Sequence, residues 1–230
     1  ASEPWFASAL PAEAGFAHFV DGPSGYQDGW QMRLPIIEPA CYLPALVRRL
    51  ESMGGNMTRM VVTALPDDAL VVNCTGLASR ALAHDESLTP VRGQVVRLSR
   101  VPNVDAWLLD QTDPTNPVYV VPRSEDIVVG GTAQANNFDS HPNDVDVGEI
   151  VVRASRLIPA LADATVLSTA AALRPTRPQV RLELERRASG GYVVHNYGHG
   201  GAGWTIAWGC ADEVVGLLQQ VGAEATGLPV

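Results

Sequence analysis

Residues 194–205 read VHNYGHGGAGWT, and they constrain the fold more tightly than any other stretch of the chain. A β-rich run enters the stretch and an apolar, helix-compatible run leaves it, with glycines at 198, 200, 201 and 203 between them. So many glycines are incompatible with a helix through the stretch itself. His195 and His199 therefore do not share a helical face as an i, i+4 zinc pair, no Glu completes an HExxH site, and no metal is expected. No GxSxG elbow offers a nucleophile either. What the spacing predicts is a strand-to-helix turn, whose glycines permit positive φ and close approach of a ligand to the backbone. A helix opening near Gly203 points N–H groups and the positive end of its dipole outward. Such a turn suits an anion or the electron-rich edge of a cofactor. The alternative is a tight turn packed on a neighbouring element.

Charge narrows the function further. A net charge of −9 and a pI near 4.9 count against nucleic acid as a partner. All 16 basic residues are arginine, which excludes a Schiff-base lysine and a Walker A lysine. No apolar run reaches the roughly 18 residues of a membrane span, so no membrane is expected. The opening ASEPWFASALPAEAG has no basic n-region or h-region, and the C-terminal GLPV is no SKL-like signal, so a cytoplasmic location is expected. Cys41, Cys74 and Cys210 show no CxxC spacing, and the apolar surroundings of the last two predict buried, inert thiols.

Periodicity divides the rest. Tyr42, Leu43, Leu46, Val47, Leu50 and Met53 follow helical spacing and predict an amphipathic helix ending at Gly54-Gly55. NMTRMVV (56–62) reads as a strand, and LVVNCTGL (70–77) as a parallel strand buried on both faces, with a helix opening at GLASRALA. After Pro90 the runs VRGQVVRLSR, AWLLD, PVYVVPR and DIVVGGT have hairpin-like spacing and predict an antiparallel sheet. A second amphipathic helix is expected over 144–161. VLSTAAALRP, RPQVRLELE and GGYVVHNY then read as three strands, and TIAWGCADEVVGLLQQV as a closing helix. This is an α/β class chain (α+β taken whole), an α/β layer interleaved in sequence with a β-rich one.

Two side chains stand out beside the glycine turn. Arg174 lies among Leu173 and Pro175 at the end of an apolar strand, where a guanidinium needs an anionic partner. That partner is either a ligand or a structural carboxylate. Tyr119 shares a strand face with Val121, placing its hydroxyl either in the same space or in the core.

VVNCTGL (71–77), RGQVVR (92–97), PVYVVPR (117–123) with IVVGGT (127–132), ALRPTRPQVRLE (172–183) and HNYGHGGAGWTIAWGCA (195–211) together resemble the D-amino-acid oxidase family. They run in that family's order along nearly the whole chain; D-aspartate and glycine oxidases are its near neighbours. The resemblance implies FAD as cofactor, with Gly200, Gly201, Ala202, Gly203, Trp204 and Thr205 along the flavin and Val62 and Thr75 on its adenosine half. It also implies that Arg174 clamps the substrate carboxylate, that the Tyr119 hydroxyl assists, and that the Gly201 carbonyl holds the amine. The histidines are then left to shape the turn. No Asp, Glu or His of these motifs stands as a base for the α-proton, so hydride transfer is the implied step.

By the same resemblance, residues 35–90 and 190–230 form a partial, Rossmann-like FAD-binding domain, and residues 1–34 and 91–189 a mostly antiparallel substrate-binding domain. The short link DPTNPVY (113–119) matches the lidless bacterial and fungal type, and no arginine stands between Val101 and Tyr119 to grip a side-chain carboxylate, so neutral D-amino acids are the expected substrates. The family's opening GxGxxG unit has no counterpart in residues 1–36. The chain is therefore expected to be a fragment of a longer oxidase or a remnant that does not hold FAD alone. Expected partners are the substrate, O2 and the missing N-terminal FAD-binding segment, with a homodimer left open.

Overall fold

A computed structural model describes residues 3, 4, 6–20, 22 and 26–226 of the chain. The glycine-containing run 19–30 falls partly outside them, as does the C-terminal LPV. In chain order the strands and helices are β1 (Ala17–Val20), β2 (Asp28–Gln31), α1 (Pro39–Ser52), β3 (Leu70–Asn73), α2 (Ser79–Leu82), β4 (Thr89–Ser99), β5 (Leu108–Asp110), β6 (Val118–Pro122), β7 (Asp126–Gly130), β8 (Gln134–Ala135), α3 (Asp144–Leu157), β9 (Val166–Arg186), β10 (Tyr192–His199) and α4 (Gly203–Thr226). Contacts divide the chain into two discontinuous units. The first holds Ala1–Arg59, Val95–Gly131 and Asn143–Thr169, and the second Met60–Gln94, Thr132–Pro142 and Ala170–Val230.

The first unit is built on the expected antiparallel ladder, with β7 between β4 and β6 and β5 beside β6. Period-2 alternation aims Val96, Leu98, Val118, Val120, Ile127 and Val129 at one face. Helix α3 covers that face with Ile150, Ala154 and Leu157. Its start is fixed by Asn143, whose side chain accepts from the Asp146 N–H at 2.8 Å. The helix expected to reach Leu161 stops at Leu157, because Pro159 cannot continue it, and a 3-10 turn (Pro159–Asp163) brings Leu161 into the same core. Beneath the β4–β7 pair, the Asp126 carboxylate is gripped by Arg123 at 2.6 and 2.7 Å and by Arg97 at 2.6 Å. Helix α1 forms where expected, yet none of its residues is buried, and Leu43 and Leu50 remain exposed.

In the second unit β10 runs parallel to β3 and antiparallel to β9, and α4 packs on β10. Four expectations are corrected here. NMTRMVV forms no strand: Met57, Met60 and Val61 are exposed, and among the described residues nothing offers that segment a ladder. Strand β3 is not buried on both faces, since Leu70 and Val72 are exposed. VLSTAAALRP and RPQVRLELE are one continuous strand, because the fixed φ of Pro175 and Pro178 is compatible with extended backbone. Finally, Cys210 is buried but Cys74 is exposed. It follows the edge strand β3 directly, where the apolar run no longer has cover.

Candidate functional site

The second unit brings three of the sequence motifs together around residues 174–176 of β9. Gly200, at φ +55, donates its N–H to the Pro175 carbonyl at 2.8 Å. A Cβ on Gly200 would stand 3.3 Å from the Thr176 hydroxyl oxygen, and one on Gly201 3.8 Å from Arg174 Cδ. From the other side, a Cβ on Gly76 would stand 3.6 Å from Pro175 Cγ. The glycine turn before α4 is thus hydrogen-bonded to the centre of β9, and the turn after β3 lies within a methyl group's reach of the same strand.

Helix α4 begins at Gly203, as the glycine spacing predicts. Its first intrahelical bond runs from the Ile206 N–H to the Ala202 carbonyl, so the N–H groups of Gly203, Trp204 and Thr205 lie ahead of that ladder. No acidic side chain occupies the first turn to offset the positive end of a 24-residue helix. Gly201, Ala202, Trp204 and Thr205 are exposed. The open glycine backbone, the donors at the helix start and the uncompensated dipole fit the electron-rich edge of a flavin.

The surroundings of Arg174 bear on the two readings of its guanidinium. Its half-buried neighbours on β9 are spent on carboxylates, Arg177 on Asp85 and Arg181 on Glu183 and Glu185, while the buried Arg92 is held by the Gln94 and Gln134 side-chain oxygens and the His141 carbonyl. Among the described residues no carboxylate pairs with Arg174, whose Nη1 donates only to the Thr132 carbonyl at 2.9 Å. Its head group lies flat against the neighbouring strand β4 at Gly93, where a Cβ would fall 2.2 Å from the guanidinium carbon. Only glycine leaves that space. Sequence reasoning missed Gly93, although the RGQ of its motif was in view.

Tyr119 belongs to the first unit and repeats this device. It is directly opposite Gly130 across the β6–β7 ladder, and its ring lies where a Gly130 Cβ would stand 2.1 Å from Cζ. The link before it is a tight turn on Asp113, whose carboxylate accepts from Thr115 and Asn116; those bonds hold its pKa down at about 2. Val62 stands in the irregular segment before β3 and is 45% exposed.

Thr75 is held from within. Its N–H and hydroxyl both donate to Asn73 Oδ1, at 3.2 and 2.7 Å, so it presents position rather than free donors. Asn73 in turn meets His195, which is fully buried and also reaches the Glu185 carboxylate at 3.0 Å. Burial pushes the His195 imidazole below its ordinary pKa despite that carboxylate, leaving it neutral. His199 faces the Cys210 thiol at 3.6 Å, and burial lowers its pKa as well. His199 thus contacts the helix that follows the turn, whereas His195 joins β10 to β3 and β9.

These residues lie within the span that matches known proteins. The family model described as FAD dependent oxidoreductase covers residues 9–217. A D-amino-acid oxidase of Rubrobacter xylanophilus is 40% identical over 221 residues, covering 94% of this chain and 67% of that protein. One from Streptomyces coelicolor is 41% identical over 192 residues (82% of this chain, 60% of that protein), and a human D-aspartate oxidase 37% over 200 residues (84% and 58%). The chain thus spans about two thirds or less of the length of these relatives. Among solved structures, an iminodiacetate oxidase from Chelativorans sp. BNC1 shares the fold at TM-score 0.71 and 18% identity, over 98% of this chain and 67% of its own. With the glycine turn, the β9 arginine and the matched span all in agreement, the chain belongs to the family of FAD-dependent oxidoreductases.

Proposed function

We propose that this chain carries the substrate clamp and part of the cofactor site of an oxidase that converts neutral D-amino acids to 2-oxo acids, ammonia and hydrogen peroxide. The observation that carries the reading is Arg174, a half-buried guanidinium beside the glycine turn that has no carboxylate partner among the described residues. Its planar fork suits an α-carboxylate through two parallel hydrogen bonds. The Gly201 carbonyl would accept from the substrate amine, and the Tyr119 hydroxyl would add a donor to the carboxylate. Residues 200–205 would hold the flavin, with Thr75 and Val62 toward its adenosine half. FAD, when bound, supplies the hydride acceptor and passes the electrons to O2. The chain's own contribution is orientation, since a carboxylate and an amine fixed at two points leave Cα one way to face. The pyrophosphate would be met by a part of the oxidase outside these 230 residues.

The names of the relatives support D-amino acids, and the human D-aspartate oxidase keeps the acidic substrate as the competing choice. The absence of arginine between 101 and 119 favours neutral side chains. The test is anaerobic reduction of the FAD-loaded intact oxidase that contains this chain by D-alanine, D-valine, D-aspartate and L-alanine. D-Alanine and D-valine should bleach the flavin fastest and L-alanine should not. Preference for D-aspartate would overturn the neutral reading, and no reduction by any amino acid would overturn the activity.

Gly93→Ala separates geometry from charge. The new methyl group displaces the guanidinium but meets only the flexible end of a side chain. KM for D-alanine should therefore rise by about tenfold or more, with the melting temperature nearly unchanged. An unaltered KM would show that the arginine does not need its place over Gly93.

A further inference from the structure

We propose that His195 is a positioning residue for the cofactor's adenosine-side turn, acting through Asn73; this rests on the FAD reading above. His195 and Asn73 are register partners across the parallel β10–β3 pair, and both are buried. The imidazole is bracketed, with Nε2 3.0 Å from Glu185 Oε2 and Nδ1 3.2 Å from Asn73 Nδ2. A neutral ring satisfies both contacts in one tautomer only, donating from Nε2 to the carboxylate and accepting at Nδ1 from the amide.

That choice fixes the amide. With its NH2 turned to the histidine, Asn73 presents Oδ1 to the Thr75 N–H at 3.2 Å, the Thr75 hydroxyl at 2.7 Å and the Ser79 hydroxyl at 3.3 Å. The Ser79 hydroxyl also lies 2.7 Å from the Thr75 hydroxyl. Of these three partners only the Thr75 N–H cannot turn to accept, so once the histidine acceptor is lost a flipped amide is opposed by that single donor and the turn is no longer held in one conformation. The consequence extends to the second cofactor turn. Gly76 packs on Pro175, and the Pro175 carbonyl accepts from Gly200. His195 thus ties the turn at 73–79 to the strand that seats the glycine turn, without touching a ligand itself.

Three substitutions divide its two contacts. His195→Asn places a carbonyl oxygen near the Nδ1 position, able to accept from Asn73, but cannot reach Glu185. His195→Gln reaches toward Glu185 and leaves no acceptor for Asn73. His195→Leu removes both. The measurements, made on the intact oxidase that contains these residues, are FAD affinity by flavin fluorescence and the melting temperature of the cofactor-free protein, on wild type and all three variants. His195→Asn should bind FAD within about threefold of wild type, whereas His195→Gln and His195→Leu should lose about tenfold or more. A structural role alone predicts that affinity follows melting temperature across the series; that pattern, or His195→Asn losing as much FAD affinity as His195→Gln, would overturn the proposal. Wild-type intact oxidase, carrying these residues together with the segment that meets the pyrophosphate, that binds no FAD would overturn the cofactor reading first and this inference with it, a result distinct from any ranking of variants.

Discussion

Arg174→Ala should lower kcat/KM for D-alanine by about 30- to 5,000-fold, the loss expected when one partner of a desolvated charge pair worth roughly 2–5 kcal/mol is removed. Arg174→Lys keeps the charge but not the planar fork, so KM should rise steeply while the protein stays folded. The effect on stability runs the other way from a structural arginine's. In the free protein the guanidinium has the Thr132 carbonyl and no carboxylate partner among the described residues, so removing it should leave the melting temperature unchanged or raise it. Measuring kcat, KM and melting temperature for both variants of the FAD-loaded protein settles the role. A large fall in melting temperature with an ordinary KM would make Arg174 a structural residue and remove it from the site.

The parts of this site legible in the sequence were those set by local chemistry. Four glycines before an apolar run fixed the start of α4 at Gly203, and an arginine flanked by Leu173 and Pro175 announced an unusual charge. What stayed hidden depends on which strands lie side by side. Gly93 matters only because β4 neighbours β9, and no spacing within RGQVVR reveals that. Asn73 and His195 are 122 positions apart, and only the parallel register joins them. Residues 56–62 were misread for a related reason. Met, Thr and Val suit a pleated surface, but a strand also needs a neighbour to satisfy its backbone. Conversely, two prolines read as a break between strands where their dihedrals let β9 continue through both.

Asp126→Asn should be among the most destabilising single changes in the first unit. The carboxylate has a side-chain exposure of 2% and takes a two-pronged grip from Arg123 and a third bond from Arg97. An amide of the same shape turns an NH2 toward guanidinium donors and leaves two cations facing each other without their counter-charge. Breaking such a pair costs about 3–5 kcal/mol when fully buried, and the lower end is expected because Arg97, at 46% exposure, can rehydrate. The pH dependence follows from the same contacts. The bonds from Arg123, and then Arg97, hold the Asp126 carboxyl below its ordinary pKa against the opposing cost of burial. A depressed carboxylate stabilises the fold fully above the unfolded value of about 3.9 and loses that contribution as pH falls toward the folded value. The gap between wild type and Asp126→Asn in urea unfolding should therefore be constant from neutral pH down to about 5, then narrow on further acidification. A gap that persists undiminished at pH 3 would show that the cost comes from packing of the amide rather than from the lost charge.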